Sequence, residues 1–234
     1  IQWVEQDIGL QFDGARSMFP VDIDDDGDID VLGAAFSSNE IYLWRNEEGL
    51  PIGWTPITVS DAFIGAHYVC AADMDNDGLT DILGAAYYAG EFAWWRNNGD
   101  IDSSWTKYAI DTHSRGAMKL CVADINEDGL KDIVGSSSRD NEIAWWCNNG
   151  GVPINWTKNL VDNWCTRAWP LFIADIDGDG DVDILGGSEG TSGISWYENH
   201  LYPKPEKPVL RGPASGSIGT EYTYTAMSTD YHGD

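Results

Sequence analysis

One motif recurs four times along this chain at an unvarying step. The pattern D-x-[DN]-x-D-G-x-x-D begins at Asp22, Asp73, Asp124 and Asp175, each 51 residues after the last. Other landmarks keep the same phase without insertions. They are Trp3, Trp54, Trp105 and Trp156; Gly33, Gly84, Gly135 and Gly186; Trp44, Trp95, Trp146 and Tyr197; and Asn46, Asn97, Asn148 and Asn199. Several series locked in one phase mean one structural unit built four times. Such units bury a continuous core only by stacking on their neighbours.

Within a repeat the apolar runs are short and rich in Ile, Val, Leu, Trp, Tyr and Ala, with Gly, Asn and Asp between them. That texture predicts strands joined by turns. In the second repeat the strands are Trp54 to Val59, Ala66 to Ala72, Asp81 to Ala86 and Glu91 to Arg96. The predicted fold class is all-β: a β-propeller of four four-stranded blades with a short C-terminal β extension. A β-solenoid is the structural competitor, but its repeat is usually much shorter. Trp3 to Ile8 precedes any complete repeat, and the strand expected to end the last repeat is missing. The N-terminal strand is therefore expected to complete the last blade and remove the exposed sheet edges. The alternative is a slice of a longer propeller. Residues 1–202 form the propeller in this division, 203–208 a Pro-rich linker, and 209–234 a stretch too short to fold alone.

Charge sharpens the reading. The formal net charge is -26, and 19 of the 39 acidic residues fall inside the four nine-residue motif windows. Such a surface repels nucleic acid and anionic membranes, and no apolar run is long enough for a transmembrane helix. Cations are the natural partners. No signal peptide is visible and the chain starts at Ile1, so it reads as a mature or excised segment. Cys70, Cys121, Cys147 and Cys165 show no CxxC spacing. Cys70 and Cys121 read as buried thiols, while Cys147 with Cys165 could pair or stay free.

Alternate carboxylates on a tight loop converge on one centre. The first loop offers Asp22, Asp24, Asp26 and Asp30 side chains with the Asp28 carbonyl; the second offers Asp73, Asp75, Asp77 and Asp81 with the Leu79 carbonyl. The third offers Asp124, Asn126, Asp128 and Asp132 with the Leu130 carbonyl; the fourth offers Asp175, Asp177, Asp179 and Asp183 with the Asp181 carbonyl. All-oxygen sets of this kind suit Ca2+, which takes roughly 6–8 oxygens in flexible geometry, better than Mg2+. Loops without His or Cys do not suit zinc. About four Ca2+ are expected, one per blade. An EF-hand would need Glu at position 12, where this chain has Gly33, Gly84, Gly135 and Gly186. The loops therefore join strands, not helices.

On these motifs the chain resembles the FG-GAP/VCBS repeat family, which includes the integrin α-subunit propeller. The resemblance covers residues 1 to about 200 and implies Ca2+ in a loop between the first two strands of each blade. The repeat is shorter than usual for the family, and four blades are fewer than the usual seven. Residues 209–234 resemble the truncated start of an Ig-like or PKD-like domain through Gly212-Pro213 and residues 219–224 and 230–234.

The rim opposite the acidic loops is where the repeat varies. It carries Phe36, Tyr87, Tyr88 and Arg139 in the turns. The blade-to-blade crossings add Phe12, Arg16, Phe63, His67, His113, Arg115, Trp164, Arg167 and Trp169. Such a mixture suits a protein or glycan ligand, as the family resemblance also implies; local packing is the competing reading. The expected function is an extracellular, secreted or cell-surface module for adhesion, protein interaction or scaffolding, with structural Ca2+. A lectin-like propeller and the non-catalytic part of a larger secreted enzyme are the alternatives. Catalysis is not expected, because the four His show no paired spacing with a Ser or Cys nucleophile. Neither the ligand nor the oligomeric state can be read from the sequence.

Overall fold

The computed structural model describes residues 1–9, 12–49, 51–103, 105–201, 209–211 and 225–227. Every helix or strand element among them is a β-strand. Blade 1 comprises β1 (Ala15–Val21), β2 (Asp30–Ala35), β3 (Glu40–Asn46) and β4 (Trp54–Ser60). Blade 2 comprises β5 (Ala66–Ala72), β6 (Asp81–Ala86), β7 (Glu91–Arg96) and β8 (Thr106–Asp111). Blade 3 comprises β9 (Ala117–Ala123), β10 (Asp132–Ser137), β11 (Glu142–Asn148) and β12 (Trp156–Asp162); blade 4 has β13 (Ala168–Ala174), β14 (Asp183–Ser188) and β15 (Gly193–Tyr197). Each blade is an antiparallel meander in chain order. A separate antiparallel pair joins β16 (Val209–Arg211) to β17 (Thr225–Met227). The expected linker at 203–208 lies outside the described residues, as does most of the expected Ig-like or PKD-like start.

The blades stack face to face into a propeller-like array. β6 and β10 are buried along their whole length. Because side chains alternate along a strand, each middle strand serves two interfaces. Ile82 of β6 belongs to the core between blades 1 and 2, whereas its neighbour Leu83 belongs to the core between blades 2 and 3. Burial on both faces is why these strands read as unbroken apolar runs. The innermost strands pack in sequence, β1 on β5, β5 on β9 and β9 on β13. Side chains from all four of them, among them Phe19, Cys70, Cys121 and Phe172, line one shared cavity.

The glycine series has a steric cause. A Cβ on Gly84 would lie 2.9 Å from Phe63 and 3.0 Å from Ile41, both of which pack in from the blade 1 side; on Gly135 it would lie 2.7 Å from Phe92 of blade 2 and 2.9 Å from Trp146. Only a bare Cα admits both the cross-strand indole and the ring from the preceding blade. Phe63 meets Trp95 edge-on at 4.8 Å, and Phe12 meets Trp44 at 4.9 Å. These two phenylalanines, expected on the rim, instead seal blade faces. Their apolar rings gain more from the indoles than from solvent.

One expectation about closure is corrected. The sheet of blade 4 has three strands, and residues 1–9 carry no strand pairing. Residues 7–9 lie with Phe12 beside Tyr42 and Trp44 of blade 1, and from there the chain leaves Trp3 at 90% exposure. Held against the first blade, it does not reach β15, whose Ile194 and Trp196 remain exposed.

Candidate metal centres

The four acidic loops connect the first and second strands of their blades, Val21 to Asp30 in blade 1 and likewise in the others. Backbone shape brings their carboxylates inward. Position 4 is left-handed (Asp25, Asn76, Glu127 and Gly178), and so is the position 6 glycine, with φ between 87° and 104° at Gly27, Gly78, Gly129 and Gly180. A glycine adopts that backbone without steric cost. The glycine amide then donates to the position 1 carboxylate, at 3.0 Å for Gly27–Asp22 and Gly78–Asp73, 2.8 Å for Gly129–Asp124 and 3.2 Å for Gly180–Asp175. The position 7 amides of Asp28, Leu79, Leu130 and Asp181 donate to the position 5 carboxylates of Asp26, Asp77, Asp128 and Asp179.

The ninth residue ties each loop to its blade. Asp30, Asp81, Asp132 and Asp183 are fully buried. Asp132 accepts the Ile125 amide at 3.1 Å on one oxygen and the Asn148 amide at 2.8 Å on the other. The same pair of bonds recurs around Asp30, Asp81 and Asp183. The in-phase asparagines thus acquire a role that sequence reading missed. Asn148 and Asn199 also donate from Nδ2 to Met74 and Ile125 in the acidic loop of the preceding blade. Their strict phase was the signal.

In three loops, oxygens of Asp22, Asp24 and Asp30, of Asp73, Asp75 and Asp81, and of Asp175, Asp177 and Asp183 lie within 4.8 Å of one another. Burial, with the carboxylates of Asp30 and Asp26 beside it, raises the pKa of Asp24. Burial pushes Asp81 up to about 6 against the lowering effect of its backbone hydrogen bonds. Negative charge is therefore held in these loops against a penalty. Among the described residues, Asp22 Oδ1 and Asp75 Oδ1 are buried without a hydrogen-bond donor, and the Asp75 side chain is 3% exposed. Buried, unsatisfied carboxylate oxygens converging with two more carboxylates fit a hard cation, which satisfies all of them together.

The third loop differs. Asn126 replaces a carboxylate, and its amide nitrogen lies 2.9 Å from Asp128 Oδ2 and 3.4 Å from Cys147 Sγ. All four cysteines are free, Cys70 and Cys165 being buried, so Cys147 and Cys165 are not paired. The residue after the third-strand aromatic also varies, as Arg45, Arg96, Cys147 and Glu198. Arg96 turns onto the second loop, whereas Arg45 turns away to Asp102 and Glu47.

On the opposite rim, Phe36, His67, Tyr87, Tyr88, Arg139 and Trp169, all expected there, form one cluster. Phe36 lies 5.0 Å from Tyr88 and 6.1 Å from His67; Tyr87 lies 5.2 Å from Tyr88; His67 lies 6.3 Å from Trp169. Arg139 lies over Tyr87 at 4.6 Å. Burial lowers the pKa of His67, whose Nδ1 lies 2.9 Å from the Met118 carbonyl. Arg115 instead pairs with Asp140 at 2.7 Å. Trp164 takes part in none of the ring contacts of this cluster and is 84% exposed.

A family model described as FG-GAP-like repeat matches residues 22–84, 73–135 and 124–186. Phosphatidylinositol-glycan-specific phospholipase D of Rattus norvegicus is 24% identical over 204 residues, which cover 70% of this chain and 24% of that protein. The chain thus spans about a quarter of this curated relative's length. Among solved structures, the V. cholerae biofilm matrix protein Bap1 matches with a TM-score of 0.40 and 16% identity, over 80% of this chain and 38% of that one.

Proposed function

Because this chain belongs to the FG-GAP-like repeat family, we propose that it is an extracellular adhesion or protein-interaction module whose acidic loops bind structural Ca2+. The observation that carries this reading is the convergence of three carboxylates within 4.8 Å in each of three loops, with a buried oxygen of Asp75 lacking a donor among the described residues. A bound cation supplies the positive charge that offsets carboxylate repulsion. The chain supplies the shape: the position 6 glycine turns the loop, and the buried ninth aspartate anchors it to strand three. Extracellular modules of this kind hold Ca2+ at roughly 10⁻⁴–10⁻³ M, so the loops would fill outside cells and empty in cytosol.

In this reading the rim of Phe36, Tyr87, Tyr88, Arg139, His67 and Trp169 takes the partner, and the protein itself does no catalysis. The match to a quarter of a phospholipase D favours one second reading, a non-catalytic part of a larger secreted enzyme. Dialysis against about 1 mM Ca2+, followed by elemental analysis, tests the metal assignment. Three to four calcium ions per chain are expected. A protein that retains none contradicts it.

A further inference from the structure

The rim cluster holds positive charge with no counter-ion among the described residues, in a chain whose net charge is -26. Arg16 lies 4.9 Å from the Phe36 ring. Arg139 lies 4.6 Å from the Tyr87 ring and donates from Nε to its hydroxyl at 3.2 Å. Neither arginine forms a salt bridge among the described residues, and both are exposed. The nearby carboxylates of Asp140 and Glu189 face Arg115 and Arg167. So strongly acidic a chain has carboxylates to spare, yet these two guanidiniums rest on aromatic faces. An arginine held there keeps its outer N–H donors directed at solvent, in the planar fork that grips a carboxylate.

Beside Arg139 opens a cleft of about 540 Å³, with Tyr87 and Trp169 among its walls, Ser138, Asn141 and Thr166 supplying hydroxyl and amide groups, and the paired Arg167 and Glu189 also lining it. That volume lies within the ordinary range of small-ligand sites. Tyr88 and Trp169 are 57% and 49% exposed. Flat aromatic faces beside short polar side chains match the apolar ring faces and hydroxyls of a sugar. The unpaired guanidiniums add a demand for negative charge.

We propose that this rim binds an acidic glycan, with a uronic acid carboxylate held by Arg139 and Arg16 and its sugar rings laid on the aromatic cluster. The inference rests on the reading of this rim as the partner surface and names the partner's chemistry. A peptide partner is disfavoured, because the polar short side chains and open aromatic faces offer more to hydroxyl-bearing rings than to apolar side chains.

Titration calorimetry in Ca2+ buffer tests this with four probes: a hyaluronan hexasaccharide, a neutral maltohexaose, a sulfated dextran oligomer and an oligoglutamate peptide. The expected result is binding of the hyaluronan hexasaccharide at least tenfold tighter than maltohexaose. It should weaken as salt rises and drop at least tenfold in Arg139→Met and in Arg16→Met. Arg45→Met, on the other rim, should bind as the parent does. Melting of each variant in Ca2+ verifies folding. Equal binding of maltohexaose, a preference for oligoglutamate, insensitivity to both rim variants or no binding at all would overturn the inference. Preference for the sulfated probe, lost in both rim variants, would support an anionic-sugar site while moving the source from carboxylate to sulfate. Calcium uptake is measured separately, so failure here leaves the metal reading standing or falling by itself.

Discussion

Arg96 donates from Nε to Asp75 Oδ2 at 2.5 Å and from Nη2 to Asp77 Oδ2 at 2.6 Å, placing a guanidinium on two of the carboxylates offered by the second loop. Its counterpart in blade 1, Arg45, is engaged by Asp102 and Glu47 instead. The second loop therefore carries its own counter-ion, and the first does not. A cation entering the second loop must displace that guanidinium or share its ligands. Arg96→Met should tighten Ca2+ binding at one site per chain while lowering the stability of the calcium-free protein by roughly 1–3 kcal/mol, as hydrogen bonds to charged groups are lost. Calorimetric titration with parallel melts in chelator measures both, and unchanged binding would show that Arg96 does not compete.

The third loop has the complementary deficit. Its Asn126 offers an amide where the other loops offer a carboxylate, and calcium loops tune their affinity by ligand charge. Asn126→Asp should therefore bind Ca2+ on the order of tenfold more tightly at that loop. Direct titration of the variant beside the parent checks this, and equal affinity would place the amide outside the coordination sphere.

Metal and fold meet at the ninth position. Asp132 accepts two backbone amides while fully buried, so Asp132→Ala leaves Ile125 and Asn148 without their partner. A loss of roughly 2–4 kcal/mol is expected in chelator, and a larger one in Ca2+, where a metal ligand is lost as well. By contrast, Asp26→Ala, in an exposed part of the first loop, should matter mainly when Ca2+ is bound. Chemical denaturation of both variants, with and without chelator, distinguishes the two roles.

Gly135→Ala tests the blade interface without touching a loop. The new Cβ would press on Phe92 at 2.7 Å and Trp146 at 2.9 Å, between strands buried on both faces. Overpacking of this kind costs about 1–3 kcal/mol. The melting temperature should fall by several degrees, by the same amount in calcium and in chelator.

Much of this was legible in the sequence because repetition removes ambiguity. The strands expected at 66–72, 81–86 and 91–96 form residue for residue as β5, β6 and β7. Glycine and aspartate mark their ends, and both faces are apolar. The loop backbones were equally legible, since the glycine at position 6 turns each of them in the same way, although three carboxylates converge within 4.8 Å in only three of the four loops among the described residues. What escaped was whatever depends on partners distant in the chain. Arg45 and Arg96 share a repeat position and a residue type, yet Arg45 finds Asp102, 57 residues away, while Arg96 finds its own blade's loop. Phe63, expected on the rim, is fully buried under Trp95, because a crossing can fold an apolar ring beneath the blade it leads to. The closing strand failed for the same reason: a Trp pattern at Trp3 does not specify which edge it will meet.

The central claim is that a divalent ion offsets carboxylate repulsion once per blade. Thermal melting in about 1 mM Ca2+ and in excess chelator tests it most directly. With dissociation constants of about 10⁻⁴ M, each filled site adds about 1.4 kcal/mol. Four sites then raise the melting temperature by roughly 10–20 °C for a chain of this length. The account predicts a fall of that size on chelation, restored by calcium. An identical melt in both buffers would contradict it.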